Sequence, residues 1–208
     1  MTKMIDYQKL GNEDVAAGIS HLNVHDHLKG KSVEDLRDLC DQDRHPFAVC
    51  ILNITGELNV GTIIRNSLLT GAKQVAIIGR RKYDKRGTVG SQNYIEVERL
   101  EGLNDDGLTI DTDIFWGWMN KNGYRPIFVE QGGTPLNKID WLTWVMRMQP
   151  LLPCLVFGNE NRGVQDDLLY DRRGRIASIP QRGVIRSFNV ASASAIVMYD
   201  MIRGMRWA

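Results

Sequence analysis

The sequence has few cysteines and no long apolar run. Only three cysteines occur among 208 residues, and Cys40, Cys50 and Cys154 form no Cys-x-x-Cys pair. An odd number of scattered thiols favours a reducing compartment over a disulfide framework. No apolar run approaches the roughly 20 residues of a membrane-spanning helix, and the opening MTKMIDYQKL lacks the pattern of a signal peptide. We therefore expect a soluble, cytoplasmic protein without a membrane partner.

The chain also lacks an excess of either charge. Its 26 lysines and arginines nearly balance its 25 aspartates and glutamates, which gives a formal net charge of +1. This balance disfavours a protein that binds polyanions over its whole surface, but it does not exclude local basic patches. At 208 residues the chain has the size of one medium domain with an extension. No G-x-G-x-x-G motif follows the first apolar run, so a Rossmann-type dinucleotide enzyme is set aside.

Residues 1–46 are polar and irregular, and we interpret them as an N-terminal arm or extension with a short helix, outside a domain of residues 47–208. Ser32 precedes acidic residues and leucines at helical spacing, which predicts a capped amphipathic helix. The arm also contains three histidines: His21, His25 and His27. No cysteine or carboxylate pattern completes a metal site around them. We therefore predict no metal and favour an arm that docks on the domain or on a partner.

Apolar runs alternate with helical patterns along the rest of the chain. The predicted strands cover 47–52, 74–79, 94–97, 125–130, 154–157 and 176–179. Continuous apolar runs are typical of strands that are buried on both faces. Their alternation with helices predicts an α/β fold with a mainly parallel sheet. The glycine-containing segment 131–135 is predicted to be a loop.

Polar loops follow several of these predicted strands. After the first strand, Asn59 and Gly61 are predicted to precede a helix, with Arg65 one turn inside it. After the last strand, Pro180 ends the strand ladder, and the polar run 187–189 can cap a helix. Main-chain groups of such a loop can surround a small polar ligand, and α/β proteins place ligands at the carboxyl ends of strands. An ordinary strand-to-helix turn is the alternative.

The densest basic segment of the chain follows the second predicted strand. Its cations are Arg80, Arg81, Lys82, Lys85 and Arg86. With Tyr83 among them, these side chains can neutralise phosphates and stack a base, which predicts contact with nucleic acid. The alternative is a solvated loop whose charges only keep the protein soluble.

Three polar loops form a set: NVGTIIRN at 59–66, FGNENRGV at 157–164 and IPQRGVIRSFNV at 179–190. In their order, their position after a strand and their internal spacing, they resemble the three motifs of the SpoU/TrmH branch of the SPOUT RNA methyltransferases. The resemblance covers residues 47–203. Three motifs in register are much more specific than any one of them.

This resemblance implies properties that composition and periodicity do not provide. The implied fold is an α/β knot, in which the C-terminal segment passes through a loop and forms a deep trefoil knot, although knots are rare. The implied cofactor is S-adenosylmethionine (AdoMet), and the implied assembly is a homodimer. The implied reaction is methyl transfer to a ribose 2′-hydroxyl of RNA, with tRNA favoured over rRNA. The alternative is a knotted protein that binds RNA or assists ribosome assembly without catalysis.

The resemblance also implies site residues. The cofactor-binding set is Val129, Gly158, Ile179, Ser187 and Phe188. The catalytic set is Arg65, Asn59, Glu160, Ser187 and Asn189. The family's usual assignment makes Arg65 a general base, but arginine is effectively always protonated, so an electrostatic clamp is the other interpretation. Two departures from the family pattern, Gln181 and Arg186, bear on the choice of substrate more than on the cofactor.

Overall fold

A computed structural model of the chain describes residues 23–79 and 82–206. Its strands are β1 (Ala48–Leu52), β2 (Gln74–Ile78), β3 (Glu96–Leu100), β4 (Tyr124–Pro135), β5 (Leu152–Phe157) and β6 (Arg175–Ser178). Its α-helices are α1 (Val33–Gln42), α2 (Glu57–Leu69), α3 (Lys85–Thr88), α4 (Thr112–Asn122), α5 (Trp141–Met146), α6 (Asp166–Leu169) and α7 (Val190–Gly204). Short 3₁₀ turns cover Asp26–Leu28, Ser91–Asn93 and Leu136–Lys138.

The six strands form one parallel sheet in the order β3-β2-β1-β5-β4-β6. The predicted α/β fold with a parallel sheet is therefore confirmed. Every residue of the inner strands β1 and β2 is buried, as expected for largely apolar strands with helices on both faces. The edge strand β3 is charged and partly exposed, which protects an edge from pairing with other chains.

Two apolar cores lie on opposite faces of the sheet, because successive side chains of a strand point to opposite sides. On one face, Ile51 of β1 packs in a cluster with Ile63 of α2 and Met198 of α7. On the other face, Cys50 belongs to a cluster with Phe115 of α4. The sheet is thus covered on both sides, and its carboxyl edge is where the connecting loops meet.

Helix α2 begins earlier than predicted. The sequence predicted that Asn59 and Gly61 precede the helix, but α2 starts at Glu57 and includes both residues. The N-cap residue, Gly56, has no side chain that could cap the helix. The carboxylate of Glu160 instead accepts the Gly56 N–H at 3.0 Å. A residue far along the chain therefore stabilises the first turn, and no local sequence pattern reports this contact.

Strand β4 is longer than predicted. The segment 131–135, predicted to be a loop, continues β4 with a shift of register against β6. Gly133 passes so close to Ile176 that a Cβ atom would overlap the backbone of Ile176. The carbonyl of Gly133 accepts a hydrogen bond from the Ser178 hydroxyl at 2.9 Å. The glycines that suggested a loop allow an irregular strand to lie beside β6.

The described part of the N-terminal arm contains the predicted capped helix. The Ser32 hydroxyl accepts the Asp35 N–H at 3.0 Å, and the Asp35 carboxylate accepts the Ser32 N–H at 3.3 Å, which completes a capping box. The rings of His25 and His27 stack with their centroids 5.7 Å apart. The third histidine of this cluster, His21, lies outside the described residues.

The three cysteines are free, and Cys50 and Cys154 are buried. Among the described residues, no group of three or more histidine, cysteine, aspartate or glutamate side chains could hold a metal ion. The helices in this part of the chain are too short or too polar to cross a membrane.

Gly61 provides a test of how closely α2 packs against the loop that contains Asp84. A Cβ atom at this position would overlap the carbonyl oxygen of Asp84, which is backbone and cannot move aside easily. We expect Gly61→Ala to lower the free energy of unfolding by about 1–3 kcal/mol, because overpacking outweighs the gain in helix propensity. Urea unfolding followed by circular dichroism measures the change.

Gly117 is the matched control, because it also lies inside a helix, α4, but a Cβ atom there has no neighbour within 4 Å. Gly117→Ala is expected to raise the free energy of unfolding by roughly 0.5–1 kcal/mol, the ordinary difference between glycine and alanine in a helix. Changes of the same sign in the two variants would contradict the close packing of α2 against Asp84.

Candidate active site

The three sequence motifs begin at the carboxyl edge of the sheet, the first of them inside α2 and the other two in loops. The first follows β1, the second follows β5, and the third follows β6. β1 and β5 are neighbours, and only β4 separates β5 from β6. Because all strands are parallel, their carboxyl ends lie at the same edge, where α/β proteins place ligands.

Glu160 connects the second loop to the first. Its carboxylate accepts hydrogen bonds from the Thr55 N–H at 2.9 Å, the Thr55 hydroxyl at 3.0 Å and the Gly56 N–H at 3.0 Å. It also accepts a hydrogen bond from the Asn59 side-chain amide at 3.0 Å. A carboxylate beside the first turn of α2 is favourable because the exposed N–H groups there carry partial positive charge.

Asn59 and Asn189 extend this connection to the third loop. The side-chain amide of Asn189 donates to the side-chain oxygen of Asn59 at 3.1 Å. The side-chain oxygen of Asn189 caps helix α7, accepting from the N–H groups of Ala191 at 2.9 Å and Ser192 at 3.2 Å. Three of the predicted catalytic residues, Glu160, Asn59 and Asn189, therefore form one hydrogen-bond chain.

The environment of Glu160 keeps it ionised. Partial burial is the largest influence and by itself raises the pKa of the carboxyl group. The hydrogen bonds from Asn59, Thr55 and Gly56 together outweigh burial, so the pKa lies below its ordinary value of 4.5. A carboxylate that is fully engaged and has a lowered pKa is a poor proton acceptor, so its role is to fix the loops.

A cavity of about 600 Å³ opens beside this chain of hydrogen bonds. Its lining includes all five predicted cofactor residues: Val129, Gly158, Ile179, Ser187 and Phe188. Three of the predicted catalytic residues line it, because Ser187 belongs to both sets and Glu160 and Asn189 line it as well. A Cβ atom on Gly158 would overlap the backbone of Gly163, so only glycine lets the chain turn at this point of the wall.

Three hydrogen-bonded residues are among those lining the cavity that were not identified from the sequence. Glu130 lines the cavity, and its carboxylate accepts the Val164 N–H at 3.1 Å. Gln131 also lines the cavity and donates its side-chain amide to the carbonyl of Arg186. Asn159 donates its side-chain amide to the carbonyl of Asn53 at 2.7 Å. One sequence signal could have identified all three. Each lies at or just beyond the end of a predicted strand, where α/β proteins place ligands.

Arg65 does not line the cavity at the carboxyl edge of the sheet in its own chain. It lies half-buried on α2 and lines a separate space of about 530 Å³ between α1 and α2. Its guanidinium makes no hydrogen bond or ion pair to any described residue. The next residue, Asn66, holds α2 to α7 by donating to the Ala191 carbonyl at 3.0 Å and to the Ser194 hydroxyl at 2.9 Å.

The third loop presents exposed side chains to the cavity. Residues 181–189 are all exposed, including Ser187 and Phe188. The apolar side chains of Val184 and Ile185 are also largely exposed. Gln181 and Arg186, the two departures from the family pattern, are among the cavity-lining residues.

The basic loop lies next to the first turn of α2. Lys82, Lys85 and Arg86 are exposed, whereas Arg80 and Arg81 lie outside the described residues. Arg86 forms an ion pair with Asp84 at 2.6 Å, so part of its charge is already neutralised. This pairing lowers the pKa of Asp84. The exposed lysines remain available to an anionic ligand at the carboxyl edge.

Three features define the class of protein. They are a parallel α/β sheet, a cavity at its carboxyl edge, and three loops that are joined by Glu160, Asn59 and Asn189. The chain belongs to the SpoU rRNA Methylase family, whose model matches residues 46–199. The family that the motifs predicted is thus confirmed.

Individual relatives share part of their length with this chain. An uncharacterized tRNA/rRNA methyltransferase of Mycolicibacterium gilvum (strain PYR-GCK) is 27% identical over an alignment of 177 residues that covers 82% of this chain and 51% of the relative. The chain therefore spans about half the length of that relative. An AdoMet-bound rRNA methyltransferase from Sinorhizobium meliloti has a TM-score of 0.61 and 26% identity, covering 81% of this chain and 59% of that chain.

A third relative is alike in fold alone. A protein whose structure gave insight into the 2-OH methylation of C/U34 on tRNA has a TM-score of 0.61 at 18% identity. The similarity covers 78% of this chain and 97% of that protein.

The hydrogen bonds to Glu160 predict a pH dependence of stability. Because its pKa is lower in the folded protein than in the unfolded chain, ionised Glu160 stabilises the fold above pH 4.5, and this contribution is lost as the pH falls through the folded pKa. Glu160→Gln is expected to lower the free energy of unfolding at pH 7 by about 1–2 kcal/mol, because the amide turns a donor toward other donors. The difference from the parent protein is expected to shrink below pH 4.5, as chemical unfolding at several pH values can measure.

Glu101→Gln is the control for this experiment, because Glu101 is exposed and its side chain bonds to no described residue. It is expected to change stability little at any pH. A Glu160→Gln deficit that stayed constant from pH 7 to pH 3 would contradict the role assigned to the ionised carboxylate.

Proposed function

We propose that the protein is an AdoMet-dependent RNA methyltransferase that modifies a ribose 2′-hydroxyl, with tRNA favoured over rRNA. The observation that carries the proposal is the cavity at the carboxyl edge, whose walls include every residue of the predicted cofactor set. Membership of the SpoU rRNA Methylase family supports an RNA substrate. The relative that was solved in work on 2-OH methylation of tRNA supports the finer choice of ribose and of tRNA.

The cavity fits AdoMet in size and in chemistry. Its volume of about 600 Å³ suits a ligand that carries an adenosine and an amino acid. Val129, Ile179 and Phe188 offer apolar surface for the adenine ring, and the wall at Gly158 consists of backbone. The exposed Ser187 hydroxyl is available to the ribose or the amino-acid part, and the half-buried carboxylate of Glu130 lines the same cavity. When bound, AdoMet would supply an activated methyl group on a sulfonium.

The protein's own contribution is alignment and electrostatics. Asn59 and Asn189 hold the first and third loops together, so the cavity and the start of α2 keep a fixed geometry. Ser187, exposed on the rim, is placed to bind a polar group of the nucleotide. We assign Arg65 to holding a phosphate beside the target ribose and stabilising the negative charge that develops on its oxygen, because a guanidinium is not deprotonated in proteins.

This role for Arg65 requires a second subunit. Arg65 lies outside the cavity of its own chain, so it can act on a methyl donor only if another copy presents one. Ile196 and Tyr199 form an exposed apolar strip on α7, the helix that packs on α2. We propose a homodimer through this face of α2 and α7, in which Arg65 of one subunit approaches the cavity of the other.

Sedimentation equilibrium tests this assembly. The expected mass is twice the 23.6 kDa of one chain. Ile196→Asp is expected to give a folded monomer, because it places a charge in the proposed interface. Leu142→Asp, at an exposed leucine on α5, is the control and is expected to leave the dimer intact. A monomeric parent protein at micromolar concentration would contradict the proposed assembly.

We further propose that residues 1–46 form an extension of the methyltransferase domain 47–208. The family match begins at residue 46, which supports this boundary. The trefoil knot stays a prediction of the family resemblance.

Methyl transfer tests the function directly. The purified protein is expected to release heat on titration with AdoMet and to transfer a labelled methyl group to unfractionated tRNA. The label is expected at linkages that resist alkaline hydrolysis, because alkali cleaves RNA only where the 2′-hydroxyl is free. Label on a base would contradict the ribose assignment, and the absence of AdoMet binding would favour an RNA-binding protein without catalysis.

Arg65→Lys separates cofactor binding from catalysis in the same assay. We expect AdoMet binding to be unchanged and transfer to fall by about 100-fold, because an ammonium does not reproduce a bidentate guanidinium. Arg99→Lys, on the exposed edge strand β3, is the control and is expected to keep full activity. Equal activity of the Arg65→Lys variant and the parent protein would remove Arg65 from the catalytic set.

A further inference from the structure

Five arginines lie at the end of the sheet opposite the cavity, four of them at or just before the starts of β4 and β6 and one in the turn after α5. The five residues are Arg125, Arg147, Arg172, Arg173 and Arg175. We call this cluster the arginine edge. The two strands pair side by side, with Ile127 of β4 opposite Arg175 of β6. Arg125 donates to the Arg173 carbonyl at 2.8 Å, which joins the two strand starts directly.

Tryptophans orient two of these arginines. The guanidinium of Arg173 lies 3.6 Å from the ring centroid of Trp116, and that of Arg175 lies 4.9 Å from the ring centroid of Trp144. Stacking uses the flat face of a guanidinium and leaves its N–H groups free in the plane of the fork. Arg175 is therefore held in place without using the groups that recognise an anion, whereas Arg173 already donates from Nε and one terminal nitrogen to Asp171.

Carboxylates neutralise little of this charge. Asp171 pairs with Arg173 at 2.7 Å, and no other arginine of the cluster forms an ion pair with a described residue. Asp140 lies near Arg147; its own hydrogen bonds with Thr143 are the main cause of its lowered pKa, and Arg147 is a minor one. The pKa of Arg175 is lowered by burial and then by repulsion from Arg125 and Arg147. Like charges held this close together favour the binding of an anion.

We propose that the arginine edge binds backbone phosphates of RNA on either side of the nucleotide that enters the cavity, an inference that rests on the proposed function. Arg125 and Val129 are four residues apart on β4, a separation of about 13 Å along the strand. Arg175 begins β6, and Ile179 directly follows its last residue, so these two residues are also four positions apart. A single RNA strand is long enough to contact the arginine edge and the cavity together.

The shape of the cluster favours a polymer over a flat membrane surface. β6 is the last strand of the sheet. Trp116 packs in the core on one face of the sheet, and Trp144 packs against the core on the other. Their arginines, Arg173 and Arg175, therefore lie on the two sides of the edge strand. Charges that wrap around a ridge can follow a phosphate backbone, whereas only some of them would face a planar bilayer.

Salt-dependent RNA binding tests the inference. The double variant Arg147→Ala with Arg172→Ala removes two exposed guanidiniums that make no hydrogen bond within the described chain. We expect its affinity for unfractionated tRNA to fall by about tenfold at 0.1 M salt, and the slope of log K against log salt concentration to become shallower by about 1.5. Replacing both residues with lysine is expected to preserve the slope, because lysine keeps the charge that phosphates attract.

Arg99→Ala is the control, because it removes an exposed arginine from the opposite edge strand. It is expected to leave the affinity within about twofold of the parent and the slope nearly unchanged. AdoMet affinity and the thermal midpoint are expected to be equal in all variants, since the cluster lies away from the cavity.

The outcomes separate this inference from the proposed function. If the parent protein binds AdoMet but no RNA, the proposed function and the inference both fail. If the parent binds RNA and the double alanine variant behaves like Arg99→Ala, the inference alone is overturned. It is also overturned if the double variant keeps its RNA affinity and instead loses binding to vesicles that contain anionic phospholipid.

Discussion

The hydrogen bonds received by the Glu160 carboxylate join the parts of the site. They bring a loop after β5 against the first turn of α2, and through Asn59 they continue to Asn189 at the start of α7. The carboxylate supplies the cap that Gly56 lacks, so the same contact stabilises a helix and fixes the distance between two sequence motifs. A buried lysine or a neutral amide could not accept all of these donors at once.

The third loop differs from this fixed frame. Two walls of the cavity consist of strand ends and of loops with buried or half-buried hydrogen bonds, whereas residues 181–189 are exposed throughout. Gln131 bonds to the backbone of this loop, and Asn189 anchors its end. A site that is rigid on two sides and adaptable on the third can hold a cofactor firmly and still admit a large substrate, because only the adaptable side loses conformational entropy on binding.

Local rules were sufficient for most of the fold. The apolar runs identified the strands, Ser32 identified α1, and Gly123 ends α4 in the left-handed conformation that favours glycine. The predictions failed where a distant residue decides the local structure. α2 starts at Glu57 because of Glu160, and β4 continues through its glycines because β6 lies against Gly133. The cavity-lining set came from the motif resemblance, whereas Glu130 and Gln131 were missed because nothing in their local pattern distinguishes them from ordinary strand-end residues.

The chain has a net charge near zero, but its positive charges are concentrated in local clusters that matter for a polyanionic substrate. With a formal charge of +1, long-range attraction to RNA is weak, so binding must depend on short-range contacts with local clusters. The basic loop lies at the carboxyl edge of the sheet, near the start of α2, and the arginine edge lies at the amino edge. Clusters at both edges can fix the direction of an RNA strand as well as its position, which a single patch cannot do. Orientation is what a ribose hydroxyl needs, because methyl transfer requires its oxygen to be aligned with the donor.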